Sequence, residues 1–275
     1  MSGGKNTLIF ENISSFDPDQ TFNCGQCFRW DKCGDSYRGF VGEVPCRIYR
    51  DGANLCVEPL CEISDRAEFE KFVRRYLALD TDYDAIKQKF SQDETMKKAI
   101  AYGDGIRVLN QPFFETLITF IISQNNNIPR IKKLVDVLSQ KYGKKVGDMY
   151  AFPTARRLKN VTEREYAELR VGFRAKYIYD AVQKVNSGRI NEKTAKELPY
   201  DDAVKYLCQI KGVGPKVADC VLLFSCEKYD ALPKDVWIKR ALREMFPNGL
   251  PECISGLEGI AQQYIFQYAR YNLNK

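Results

Sequence analysis

The chain has 275 residues, 44% of them hydrophobic and 28% charged, enough for a substantial core in one or two globular domains. Its 42 Lys and Arg against 36 Asp and Glu leave a net charge of +6, which permits nucleic-acid binding without demanding it. The most apolar stretch, Phe113 to Ile122, is short and carries Glu115, which excludes a bilayer-spanning helix there.

The amino terminus, Met-Ser-Gly-Gly-Lys-Asn, lacks the apolar core of a signal peptide. An intracellular protein with ten reduced cysteines is therefore expected. Cys24 and Cys27 form one C-x-x-C pair, but there is no second pair and no histidine. No metal site is expected.

In chain order, the first sixty residues read as strands. Tyr37 to Val41, Cys46 to Tyr49 and Asn54 to Val57 are short, aromatic or β-branched, and punctuated by Gly42, Pro45 and Asp51-Gly52. From Ser64 the period changes, with Phe69, Phe72, Val73, Tyr76 and Leu77 on one helical face. Gly103-Asp104-Gly105 breaks the chain. Beyond it Pro112 opens a helix over Phe113 to Ile122, and Ile128 to Leu138 form another apolar face. Thr162 to Glu165 fit a capping box, and Tyr264 to Leu273 a terminal helix. The expected fold class is α+β. An amino-terminal antiparallel sheet with flanking helices spans residues 1–103, and a larger all-helical domain spans 104–275.

Residues 207 to 219 carry the most chemistry. A helical pattern ends at Ile210, and Gly212-Val213-Gly214 forms a tight hairpin before a second helix with Pro215 in its first turn. Outward-facing amides at such a turn suit a phosphate. Lys216 follows the hairpin and Asp235 comes nineteen positions later. Together they suggest a DNA phosphate grip with an amine nucleophile beside it. By itself Lys216 would serve equally as a phosphate contact. Asp235, just before Val-Trp-Ile, can cap a helix while its carboxylate faces the site.

This arrangement resembles the helix-hairpin-helix base-excision DNA glycosylases. The lysine points to their bifunctional members, and among these the chain is most similar to the 8-oxoguanine DNA glycosylase/AP lyases. Four further segments carry the likeness in the right order: Gly25 to Trp30, Asn125 to Arg130, Gly172 to Tyr177 and Ala261 to Phe266. Only Cys253 lies beyond Cys226, so the iron–sulfur branch is excluded. The resemblance implies a cleft between the two parts of the chain that takes damaged double-stranded DNA. It implies that Lys216 attacks C1′ to form a Schiff base, that β-elimination then nicks the strand, and that Asp235 stabilises the charge developing on the sugar.

The same resemblance assigns the remaining residues. The carbonyl of Gly25 would accept from the N7–H that distinguishes 8-oxoguanine from guanine. Phe266 would stack on the flipped base, Gln262 would bond its Watson–Crick edge, and Phe28 and Cys220 would complete the pocket. Arg130 and Arg174 would read the orphaned cytosine, Asn125 would fill the vacated space, and Phe173 would wedge the opposite strand. Gly212, Val213, Gly214 and Trp237 would contact the DNA backbone. Taken alone, Phe266 reads as core and the asparagine run as a polar turn.

No cofactor is expected, although carbonyls of Cys208, Ile210 and Val213 could hold a structural cation. A monomer with no membrane association is expected, and the lack of long eukaryotic termini points to a cytoplasmic protein of a bacterial or archaeal nucleoid, or a nuclear one if the source is eukaryotic. The chain departs from the eukaryotic pattern at Trp237, where His is usual, at Pro129, where Ala is usual, and at Phe173, where Tyr is usual. Two alternatives stay open: a related glycosylase for another damaged base, and a non-catalytic hairpin module for which Lys216 and Asp235 are incidental.

Overall fold

The computed structural model describes residues 6–273. Residues 1–5, most of the segment read above as lacking a signal core, and the last two residues of the range 104–275 lie outside it. The chain opens with β1 (Leu8–Phe10) and α1 (Pro18–Asn23), then runs through β2 (Asp31–Cys33), β3 (Ser36–Val41), β4 (Val44–Asp51) and β5 (Asn54–Pro59). The strands form one antiparallel sheet in the order β1-β5-β4-β3-β2. Its register sets Tyr37 opposite Ile48 and Ile48 opposite Val57, which lines up buried side chains on one face. Trp30 is fully buried there, stacked on Phe22 at 4.5 Å, with its indole N–H donating to the Tyr76 hydroxyl.

The first sixty residues are not all strand. In α1 the Asp17 carboxylate accepts from the Gln20 N–H, and Pro18 occupies the first turn. That start signal outweighs the surrounding strand-like composition.

Helices follow: α2 (Arg66–Tyr76), α3 (Tyr83–Phe90), α4 (Glu94–Tyr102), α5 (Phe113–Ser123) and α6 (Ile128–Tyr142). A two-strand hairpin, β6 (Lys145–Val146) with β7 (Met149–Tyr150), precedes α7 (Ala155–Leu158), α8 (Glu163–Glu168) and α9 (Ala175–Asn186). The chain ends with α10 (Glu192–Glu197), α11 (Tyr200–Leu207), α12 (Pro215–Cys226), α13 (Val236–Glu244) and α14 (Glu258–Asn272). Pro112 stands just before α5 as its cap residue, and the terminal helix starts at Glu258, six residues before Tyr264. The capping box at α8 is complete: Thr162 accepts from the Glu165 N–H, and Glu165 accepts from the Thr162 N–H. No described helix is long and apolar enough to cross a membrane.

The division expected at residue 103 does not coincide with the division of the cores. The sheet and α2 share one core with Trp30, Ile48, Val57 and Val73. Tyr83 and Phe90 of α3, with Met96, Ala99 and Ile100 of α4, instead belong to the helical core around α5, α12 and α14. Their apolar faces have no sheet surface left to cover, because α2 already occupies it. The loop carrying Cys24 and Phe28 also enters the helical core.

Polar ties lock the two bodies together. Arg29 pairs with Glu115 of α5 at 3.2 Å and donates to the Tyr150 carbonyl. Gln26, fully buried, donates to the carbonyls of Thr21 and Arg107 and accepts from the Leu109 N–H. Gln111 donates to the Gln26 carbonyl at 2.7 Å. Both ends of the buried Gln26 amide are matched, as burial demands.

Candidate active site

The hairpin between α11 and α12 is held from behind by α9. Asp180 accepts from the Lys211 N–H at 2.7 Å, and Lys184 donates to the Gln209 carbonyl at 2.6 Å. Gly212 has φ +78°, and a Cβ there would stand 2.4 Å from the ring of Tyr177. Both facts require glycine. The N–H groups of Gly212, Gly214 and Lys216 find no acceptor among the described residues, which leaves them open to an anion at the start of α12.

Lys216 is the second residue of α12, and its amine lies 5.5 Å from the ring centroid of Phe120. Asp235 caps α13, accepting from the Ile238 N–H at 2.8 Å. Burial pushes its carboxyl above the ordinary value. The N–H groups of Ile238 and Trp237 and the charge of Lys216 pull it back. Both side chains line a small cavity of about 60 Å³, together with Gly25, Cys220, Gln262 and Phe266. Small-molecule sites typically measure about 300–1,000 Å³, so a purine enters only if these walls part.

Gly25 sits at φ +86°, and a methyl there would touch Ile128 at 3.7 Å and the ring of Phe266 at 3.8 Å. Gln262 and Phe266 share one face of α14. The Gln262 side-chain carbonyl accepts from Gln263 at 2.6 Å, leaving its own amide N–H groups to the cavity. Cys220 is a buried thiol, pushed up to about 11 by desolvation. Phe120, Phe224 and Pro233 line the cavity without a functional signal in the sequence, and Cys24 lines it too, although the sequence marked it only as half of a C-x-x-C pair. Gln263, also in the wall, was hidden within the segment that supplied Gln262.

Phe28 does not line this cavity. It is 6% exposed and packs edge-on against Phe120 at 5.6 Å, behind the wall it was expected to form. Its neighbours Cys24 and Cys27 are buried thiols that donate to the carbonyls of Thr21 and Phe22. Among the described residues no group of three or more His, Cys, Asp and Glu is arranged to hold a metal.

A second cluster lies at the turn between α5 and α6. Asn125 is exposed with φ +47°, a left-handed turn that asparagine tolerates. Arg130 is exposed in the first turn of α6, and Phe173 is 50% exposed beside them. Arg174 departs from the expectation that it stands ready for cytosine. It is 4% exposed and donates to the carbonyls of Gln124, Asn125 and Val171. Phe173 lies over its guanidinium at 4.5 Å. A buried cation must satisfy its donors locally, and this one does so by supporting the Asn125 turn. Trp237 is half-buried in the first turn of α13, beside the Asp235 cap.

An amine and a carboxylate meeting beside an anion-ready hairpin, on a helical body fused to a five-stranded sheet, define the helix-hairpin-helix class of base-excision proteins. The comparisons agree. Residues 8–117 match the 8-oxoguanine DNA glycosylase N-terminal domain and residues 118–249 the HhH-GPD superfamily base excision DNA repair protein. The chain is 33% identical over 270 residues to the N-glycosylase/DNA lyase OGG1 of Arabidopsis thaliana, covering 91% of this chain and 73% of that protein. A solved 8-oxoguanine glycosylase/lyase of Clostridium acetobutylicum, in complex with double-stranded DNA containing cytosine opposite 8-oxoG, superposes with a TM-score of 0.91. It is 37% identical, with 98% of this chain and 97% of that chain covered. A 3-methyladenine DNA-glycosylase of Archaeoglobus fulgidus, 19% identical with a TM-score of 0.78 over 97% of this chain and 100% of that one, shares the fold. The chain belongs to the 8-oxoguanine DNA glycosylase family of N-glycosylase/DNA lyases.

Proposed function

We propose that this chain binds damaged duplex DNA as a monomer, flips and excises 8-oxoguanine opposite cytosine, and nicks the strand through a Schiff base on Lys216. The observation that carries this reading is convergence. Lys216, Asp235, Gly25, Gln262 and Phe266 come from four separate segments and line one cavity. A non-catalytic hairpin module would have no need of that arrangement.

The chemistry follows from the side chains. The flipped base slides between the Phe266 ring and Cys220, and Gln262 offers donors to its edge. Only the lesion carries an N7–H for the Gly25 carbonyl. Asp235, half-buried and fixed by the Ile238 N–H, meets positive charge developing on the sugar without having to reorganise. The Lys216 amine then attacks C1′ as the base leaves, and β-elimination from the resulting imine breaks the strand. The unpaired hairpin amides take a phosphate.

Arg130, exposed and unpaired among the described residues, is the group that reads the orphaned cytosine. Arg174 holds the turn that presents Asn125, and Phe173 wedges the opposite strand. The chemistry requires no cofactor. The carbonyls of Cys208 and Val213 accept no hydrogen bond among the described residues, while that of Ile210 accepts from Val213. These oxygens suit a structural cation that would screen the neighbouring phosphate. The protein works where the chromosome is, in a nucleoid or a nucleus.

Borohydride trapping on a duplex with one 8-oxoguanine tests the reading. A covalent protein–DNA product that depends on the lesion is expected, and its absence with bound, intact protein would overturn the assignment.

A further inference from the structure

Lys216 borders two cavities, and only one of them has been used so far. The second, of about 700 Å³, is lined by Tyr200, Asp219, Lys234 and Lys239 as well as Lys216. Asp219 lies three residues beyond Lys216 on α12, so both side chains leave the same face of the helix. It is 7% exposed, and among the described residues its carboxylate has one hydrogen bond, from the Tyr200 hydroxyl at 2.8 Å, and no ion pair. It is too deep in α12 to cap the helix. A brace between α11 and α12 needs no charge, since asparagine would accept the tyrosine proton equally well. A buried carboxylate with one donor is costly, and here it stands beside the nucleophile.

We propose that Asp219 carries the proton that must leave the Lys216 adduct, serving imine formation and nicking rather than base release. The inference rests on the assignment of Lys216 as nucleophile. When that amine attacks, its lone pair forms the C1′–N bond and the bond to the base breaks, its electron pair leaving with the base. The adduct nitrogen then holds two protons and a positive charge. Asp219 takes one of these protons. The nitrogen lone pair so freed forms the C=N bond as C1′–O4′ breaks, and Asp219 returns its proton to O4′. The carboxylate is restored. Loss of the C2′ proton to water then expels the 3′ phosphate with the electrons of the C3′–O bond.

The acceptor is matched to that task. Burial pushes Asp219 up to about 6, against the Tyr200 hydroxyl of α11 and the charges of Lys234 and Lys216. Cys208, at the end of α11, feels the Asp219 charge in turn. Nicking therefore loses its proton acceptor as pH falls through about 6.

The test compares base release, trapping and nicking in single turnovers for the wild type, Asp219→Asn and Tyr200→Phe. General acid–base groups typically contribute about 10²–10⁴-fold, so Asp219→Asn should slow trapping and nicking by at least about 10²-fold, far more than base release. It should also erase the acidic limb of the nicking profile. Tyr200→Phe removes a donor that stabilises the carboxylate, so the limb should move to higher pH, a shift that loss of a brace would not produce. Parallel loss of all three steps in Asp219→Asn, or an unmoved limb in Tyr200→Phe, would overturn the proposal. If Lys216→Gln still traps, the nucleophile assignment itself has failed. If it does not trap while Asp219→Asn behaves as wild type, only the Asp219 role has failed.

Discussion

The Lys216 amine is set over the face of Phe120, 5.5 Å from the ring centroid, and that ring in turn stacks on Phe224 at 5.4 Å. The proposed nucleophile thus rests on an aromatic floor shared by Phe120 of α5 and Phe224 of its own helix. Lys216→Gln should abolish trapping and excision while lesion binding persists. Phe120→Leu should leave the nucleophile in place but lower the excision rate, roughly tenfold, because a small misplacement of a reacting group is expensive. Trapping yield and single-turnover rate, measured together, separate the two effects. Substantial trapping by Lys216→Gln would move the nucleophile elsewhere.

Gly25 makes a second prediction. Its φ of +86° and the 3.8 Å approach of Phe266 to a methyl at that position mean Gly25→Ala is penalised twice. Backbone strain of this kind costs on the order of 1–3 kcal/mol, and the methyl narrows the base cavity. A lower thermal midpoint is expected along with a larger loss of 8-oxoguanine excision. Nicking of a preformed abasic site, which needs no base in the cavity, should suffer less. Equal losses on both substrates would show that Gly25 does not face the base.

Asp219 also gives a stability prediction with a definite sign. Its carboxyl is raised from 3.8 to about 6 in the fold. Its stabilising contribution is fully present below the unfolded value and is lost as pH rises through about 6. Asp219→Asn carries no charge at any pH, so its melting temperature should exceed the wild type's by a few degrees at neutral pH. Below the ordinary carboxylate value the two should coincide. A neutral-pH variant less stable than the wild type would mean the carboxylate holds the fold together.

The two arginines near Asn125 should behave differently. Arg130→Ala should narrow the preference for 8-oxoG·C over 8-oxoG·A, since a good polar contact to a base is worth about 1–3 kcal/mol of discrimination. Arg174→Ala should remove support from three carbonyls, lower stability and slow excision opposite every base. Single-turnover rates against the four opposite bases, with thermal unfolding, check both. A selective loss opposite cytosine in Arg174→Ala at unchanged stability would return that residue to base reading.

Much of this site was legible in the residue string, and the misses have a common cause. The Thr162–Glu165 box and the Gly212–Gly214 turn are signalled by residues within a few positions, although Tyr177 and Asp180 of α9 complete the hairpin from far along the chain. The role of Arg174 was hidden because two of its three acceptors are backbone carbonyls some fifty positions away, which no side-chain pattern reports. Phe28 is an aromatic residue in a pocket-lining motif, and only packing shows that Phe120 stands in front of it. Asp219 reads as an ordinary polar position of a helix until Tyr200 is seen opposite it. Helix α1 was signalled by Asp17-Pro18 but outweighed by its surroundings.

The buried Gln26 clamp has a consequence for how this protein can fail. Gly25 reaches the cavity on a loop anchored through Gln26 to Arg107, Leu109 and Gln111, and the Gln111 N–H donates at 2.7 Å to the Phe224 carbonyl of α12, the helix that carries Lys216. Damage to Lys216 or Asp235 yields an inert protein and an unrepaired lesion. Damage to the clamp therefore reaches both the Gly25 loop and the helix under Lys216, so reading and cutting fail together.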